Sequence, residues 1–414
     1  MAWTKTMTGG VLVGMLCALS VLAEDFPDLS AEPHRYHERT PRDRFTLLKP
    51  ALESGALTLD TASELGFLKS LLRSLNVPES SQMLVFSTTS LQLSLISPSN
   101  PRALYFNDDT YVGFIPGGKI EVISIDPELG GIFYIFEIPR DGRRPVPDRS
   151  GRCMNCHAGE DTREGPGLVI KSVIPGVRGG SLTAYRLHET GHGIPLSDRF
   201  GGWYVTGEGA LTNHHGNVMG KLSAGVLSTE PLVPGRYYSN ARYPVGTTDI
   251  VPQLIHEHQA GFINRAVEAN YRVRSILHRK GGTLEGARSA EVDRLAETLV
   301  RYMLFVDEAP FPPGGFRGEK AFLDEFQRDS SRPAGSVSLR TLDLRTRLMR
   351  YRCSYMIHSV AFEGLPRVFK DRVFVRLDET LRDGTRSELG KHLDSQERQA
   401  ILEHLRSSFT RFPR

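Results

Sequence analysis

The chain has 414 residues, 39% hydrophobic and 24% charged side chains, a formal charge of +3 and four cysteines. That balance excludes a disordered chain and a small disulfide-stapled scaffold, and it leaves no basic excess for nucleic acid or an acidic membrane. The length suffices for two or three domains, or for one domain with a long helical extension.

Residues 1–23 read as a signal peptide. Lys5 is their one charged side chain, Gly9 to Leu22 form an apolar run, and Val21 and Ala23 supply the small residues that a signal peptidase reads. The run falls short of the roughly 18 residues that favour a membrane span, so no span is expected in the mature chain, with an uncleaved anchor as the alternative. Leu16 before Cys17 lacks the small residue of a lipoprotein cleavage site. The expected location is periplasmic or otherwise extracytoplasmic, and the mature chain then keeps Cys153, Cys156 and Cys353.

Residues 24–80 open with a Pro-, Asp-, Glu- and His-rich arm. From Arg42 to Leu75 the apolar residues recur at helical spacing, and the ESGALTLD break divides them into two helices closed by Pro78. Residues 81–247 change to β-rich runs (MLVFSTTSLQLSLI, RALYFNDDTYVGFI, KIEVISID, GIFYIFEIP) separated by Pro, Asn, Asp and Gly, the pattern of antiparallel hairpins. GLVIKSVIP and GGWYVTGEG read as further strands, joined by a long histidine-bearing loop. Residues 248–414 are helical in pattern. They begin with a long helix from about Thr248 to Gly281, include LRTRLMRYRCSYMIHSVAF, and end with a helix that Asp394 and Glu397 open as a capping box. The expected class is α+β: an antiparallel β-rich core between N-terminal helices and a helical C-terminal part.

Within the β-rich part stands SGRCMNCHAGED, with Cys153 and Cys156 three apart and His157 directly behind. Such a pair can be a redox dithiol, half of a zinc site, a simple disulfide or a covalent haem anchor. Zinc needs four ligands and no second cysteine pair exists, while a thioredoxin-like site wants a βαβ context rather than hairpins. Cys-x-x-Cys-His is the attachment signature of c-type haem. Each thiol reaches one vinyl group of the porphyrin across a single turn of chain, and the adjacent histidine becomes the proximal iron ligand. The β-rich core is thus expected to carry one haem c on Cys153, Cys156 and His157.

SQMLVFSTTSLQLSLISPSNPRALYFNDDTYVGFIPGG, RCMNCH, DRFGGWYVTG, FVDEAP and RLMRYRCSYMIHSVAFEGLP together resemble a family of exported bacterial proteins of planctomycete type. These carry one c-type haem motif and have an unsettled role, and the likeness runs from about residue 80 to the C-terminus. The resemblance implies haem and export, and by position it supports Cys153, Cys156 and His157. Small cytochromes c differ on two counts: they place a helix before the motif and carry a distal Met-Pro, and this chain has a strand and no Met-Pro.

For the distal position, HETGHGIP offers His188 and His192, and NHHGNVMG offers His214, His215 and Met219. The resembling stretches also carry histidine near His192 and His214. His192 is the first distal candidate and His214 the alternative, against the reading that histidines in polar loops face solvent. Met219 reads as packing. His256 and His258, two apart on a helix, face different sides and default to its surface. Arg152 and Arg163 could pair with haem propionates or stay solvated, Trp203 and Tyr204 read as core, and Cys353 as a buried thiol in an apolar helix. The function expected is electron transfer to a redox partner protein. The rivals are a peroxidase- or oxidase-like haem enzyme with an open distal site, and a non-catalytic haem sensor or interaction module.

Overall fold

The computed structural model describes residues 26–413, apart from residues 140–141, 186–189, 210–211, 280–283, 329–336 and 384–386. The expected signal peptide and His188 lie outside the described residues. Helices α1 (Arg44–Ser54) and α2 (Glu64–Ser74) fall where the apolar spacing predicts them. Asp43 caps α1 by accepting from the N–H groups of Phe45 and Thr46, and Ser63 caps α2 through Gly66 N–H.

The strands follow as β1 (Met83–Val85), β2 (Arg102–Phe106), β3 (Thr110–Phe114), β4 (Ile120–Asp126), β5 (Gly130–Phe136) and β6 (Asp148–Arg149). After the short helix α3 (Met154–His157) come the hairpin β7 (Val173–Pro175) and β8 (Ser181–Ala184), and then β9 (Trp203–Tyr204). Seven of these form one sheet in the order β6-β5-β4-β3-β2-β1-β9, antiparallel at every pairing. The run MLVFSTTSLQLSLI contributes only β1. Beyond it Phe86 and Ser87 both donate to the Gly202 carbonyl, Thr88 turns to the Gly179 carbonyl, and Leu93–Leu95 make a 3₁₀ turn.

Helices α4 (Ile250–Arg279), α5 (Ala287–Met303), α6 (Lys320–Phe326), α7 (Val360–Glu363), α8 (Arg367–Arg382) and α9 (Ser395–Ser408) complete the chain, an α+β architecture with a helical C-terminal part. Asp394 caps α9 by accepting from Glu397 N–H. The stretch expected as a helix through Cys353 is instead irregular. Asp343 accepts from the N–H groups of Arg345 and Thr346 in a tight turn, Leu342 bridges Met349, and only the 3₁₀ turn Tyr355–His358 and α7 are helical. Cys353 is buried there as a free thiol, and burial pushes its pKa up to about 12.

Strand side chains alternate between two faces, and helices cover both. On one face Phe45 of α1 and Phe67, Leu68, Leu71 and Leu72 of α2 join a core with Ala103, Tyr105, Val112, Ile120 and Val122. On the other, α4 packs on Met83, Val85, Phe106, Tyr111 and Ile125, with apolar residues of α5, α8 and α9 in the same core. Because α4 lies between sheet and outer helices, its polar residues are enclosed too. His256 is 6% exposed and His258 0%, which overturns their expected place on a helix surface. Among the described residues, no helix is long and apolar enough to cross a membrane.

Candidate cofactor site around Cys153, Cys156 and His157

The motif leaves the sheet at its β6 edge. Ser150 N–H donates to the Phe133 carbonyl at 2.9 Å, and the chain then winds through a 3₁₀ turn, Gly151–Cys153, directly into α3. This puts the two cysteines on one winding of chain, as the attachment signature requires. Both thiols are free, with Cys156 exposed and Cys153 half-buried. Burial raises the Cys153 pKa, so the thiol stays protonated, a tendency its contact with Ser150 partly offsets. Among the described residues no three His, Cys, Asp or Glu side chains gather as ligands for a bare metal ion.

His157 is held by a loop that returns ten residues later. Its Nδ1 lies 2.9 Å from the Gly167 carbonyl oxygen, and Gly167 N–H donates to the His157 carbonyl at 2.8 Å. A carbonyl only accepts, so the proton sits on Nδ1 and the Nε2 lone pair is left for a metal. Burial lowers the pKa of this imidazole, which keeps it neutral and competent to ligate. Phe133 of β5 backs the ring at 4.8 Å. Asn264 of α4 fixes the loop: its Oδ1 accepts from Leu168 N–H at 2.8 Å, and its Nδ2 donates to the Leu168 carbonyl at 2.9 Å and to Thr190 at 3.0 Å.

The sheet register shows what lies beside Phe133. Phe106, Tyr111, Ile123 and Phe133 are direct cross-strand neighbours, and the next row on the same face is Leu104, Gly113, Glu121 and Ile135. The α4 side of this face is closed, but Leu104, Ile123 and Ile135 remain partly exposed. Arg102, one pair further along β2, reaches Glu121 with Nη1 to Oε2 at 2.9 Å, and its Nε is buried with no hydrogen-bond partner. Gly113 stands between Leu104 and Glu121 in the row and contributes no side chain there. Two free thiols on one turn, a neutral histidine with a bare Nε2, a partly covered apolar strip and an unmet donor at its end fit a covalently held porphyrin.

The other predicted residues make their contacts with other groups. His192, expected in a polar loop, is buried in the core, with Tyr302 stacked at 4.0 Å and Phe305 at 4.5 Å. Its Nδ1 shares a proton with His258 Nδ1 across 2.7 Å, His258 Nε2 meets Ser354 Oγ at 2.8 Å, and His192 Nε2 is buried without a partner. His214 is half-buried, and its Nδ1 accepts from Gly216 N–H at 2.9 Å, so Nε2 carries the proton. No hydrogen bond or ring contact described for His157 reaches His192 or His214. Arg163 pairs with Glu268 at 2.9 Å, and Arg152 is exposed beside the motif. Trp203 and Tyr204 fill the core as expected, donating to the carbonyls of Lys171 and Pro98. Sequence reasoning misses Gly167, Asn264, Phe133, Arg102 and Glu121, because only strand register and loop return bring them to the motif.

Comparison with family models, with curated proteins and with solved structures finds no match for this chain.

Proposed function

We propose that this chain is an exported monohaem c-type cytochrome that passes electrons to a redox partner protein outside the cytoplasm, in keeping with the family it resembles. The observation that carries the reading is the pairing of Cys153 and Cys156 on one turn with His157, whose Nδ1 is tied to the Gly167 carbonyl so that Nε2 stays free. Cys153 and Cys156 would each add S–H across a vinyl C=C, sulfur to one carbon and hydrogen to the other. His157 would ligate the iron, and Leu104, Ile123 and Phe133 would shield an apolar edge. Bound haem c would supply a one-electron couple. His157 Nδ1–H, donating to a backbone carbonyl, holds the ring orientation and raises the donor strength of Nε2. The apolar leader supports export, and the free Cys153 and Cys156 are the thiols that haem attachment would consume.

The test is expression with a c-type maturation system, followed by intact-mass measurement. The expected product is one haem added through two thioethers, reduced to a single thioether in Cys153→Ser or Cys156→Ser. A mature chain carrying no covalent haem overturns the reading. Optical and EPR spectra of wild type, His192→Ala and His214→Ala separate electron transfer, which expects six-coordinate low-spin iron, from a peroxidase- or oxidase-like site, which expects high-spin iron.

A further inference from the structure

The sheet row beside the motif holds an ion pair that the attachment chemistry does not use. Glu121 is saturated: Oε2 accepts from Arg102 Nη1 at 2.9 Å, and Oε1 accepts from Ser90 Oγ at 2.6 Å and Gln92 Nε2 at 3.0 Å. Arg102 is not saturated. Its side chain is 13% exposed, yet Nε–H is buried and donates to nothing. Folding gains little from a buried ion pair and loses by an unmet donor, so stability alone does not explain this arrangement. Guanidinium is the group best matched to a carboxylate, which it binds through two parallel donors. Glu121 already occupies one edge of the fork and, held by Ser90 and Gln92, fixes the plane of the guanidinium.

Strand register sets the pair beside the motif: Glu121 lies two residues along β4 from Ile123, the direct cross-strand neighbour of Phe133, and Phe133 backs the His157 ring. Between Arg102 and the His157–Phe133 contact runs the partly exposed strip of Leu104, Ile123 and Ile135. A ligand with a broad apolar face and a carboxylate at one edge matches that order of surfaces.

We propose that Arg102 is the charge-pairing residue of this site, receiving on its buried Nε–H a propionate of the haem that Cys153 and Cys156 would hold. The proposal rests on the haem reading above. It makes Arg102 a positioning residue that sets the potential, because a fixed positive charge at the propionate favours the reduced, less positive iron.

The experiment uses the holoprotein and reads two quantities separately. Intact mass reports whether haem is attached, and a chain without haem overturns the haem reading and this proposal together. With haem attached in wild type and Arg102→Gln alike, the midpoint potential decides. The expected fall is about tenfold in the reduction equilibrium, or about 59 mV for one electron. Arg102→Lys, which keeps the charge, is expected to restore most of it. Attached haem with an unchanged potential in Arg102→Gln, or equal potentials for the Gln and Lys variants, overturns the role of Arg102 and leaves the haem reading standing. If Arg102→Gln does not accumulate, wild-type holoprotein carrying guanidino-¹⁵N arginine is compared with unlabelled protein by reduced-minus-oxidised infrared difference spectra. An isotope-sensitive guanidinium band that is lost in labelled Arg102→Lys supports the assignment, and its absence in wild type or its persistence in Arg102→Lys overturns it.

Discussion

His157 and Gly167 hold each other at two points, Nδ1 to carbonyl at 2.9 Å and N–H to carbonyl at 2.8 Å. The second contact ties the backbone and the first orients the ring. Gly167 has no room for a side chain, since a Cβ there would lie 2.3 Å from Asn264 Oδ1 and 3.1 Å from Thr162 Cβ. Gly167→Ala is therefore expected to displace the loop and cost about 1–3 kcal/mol in urea denaturation. The same variant should carry less covalent haem per chain, whereas an alanine on the exposed helix surface at Glu403 should change neither. Wild-type stability in Gly167→Ala would show that the loop is not rigid around His157.

Three buried imidazoles make the fold acid-sensitive. Burial pushes His258 down to about 3, His34 to about 4 and His192 well below the ordinary 6.5. In the unfolded chain they take protons near pH 6.5, so below that pH the unfolded state binds more protons and stability falls. The loss runs from about pH 6.5 down toward the folded pKa values and is absent above it. His34 meets Ser275 Oγ at 2.8 Å, and His34→Gln can keep that contact without titrating. Denaturation free energies for this variant should fall less steeply between pH 6.5 and 4, by up to about 1.4 kcal/mol per pH unit. Parallel slopes in the two proteins would refute the assignment.

Asp109 works in the opposite sense. It lies in the turn between β2 and β3, its Oδ1 accepts from Val360 N–H at 3.1 Å, and burial raises its pKa to about 7. The folded state holds a proton that the unfolded state releases near 3.8, so this group's contribution declines as pH rises from about 4 to 7. Asp109→Asn keeps an acceptor for Val360 and cannot ionise. Its Tm should match wild type near pH 4 and exceed it above pH 7, by calorimetry at both ends of the range.

Arg352 and Glu397 tie the irregular stretch before α7 to the first turn of α9. Glu397 is 5% exposed and accepts from Arg352 backbone N–H at 2.7 Å, Nε at 3.1 Å and Nη2 at 2.6 Å. Glu397→Gln leaves the arginine half-paired in the interior, at an expected cost of about 3–5 kcal/mol. A loss below 1 kcal/mol would mean that solvent reaches the pair.

Local signals located much of this architecture. Apolar spacing and the ESGALTLD break mark α1 and α2, and alternation with turn residues marks β2 to β5. The long periodic run marks α4, and Asp394 marks the start of α9. The motif is equally local, because Cys153, Cys156 and His157 fall within one turn whatever surrounds them. Where local chemistry competes with periodicity the reading fails. The apolar residues around Cys353 suggest a helix, but Asp343 and a left-handed Leu344, at φ 61°, turn the chain first.

What the sequence determined by itself is the set of segments whose form follows from contacts a few residues apart, including the Cys-x-x-Cys-His turn. The tertiary structure alone decided strand order, the burial of His192, His256 and His258, and the partners of His157. Those depend on groups brought together across the chain, such as Gly167 with Asn264 or Arg102 with Glu121. A residue's spacing along the chain states which way it can point. Only packing states what it meets there.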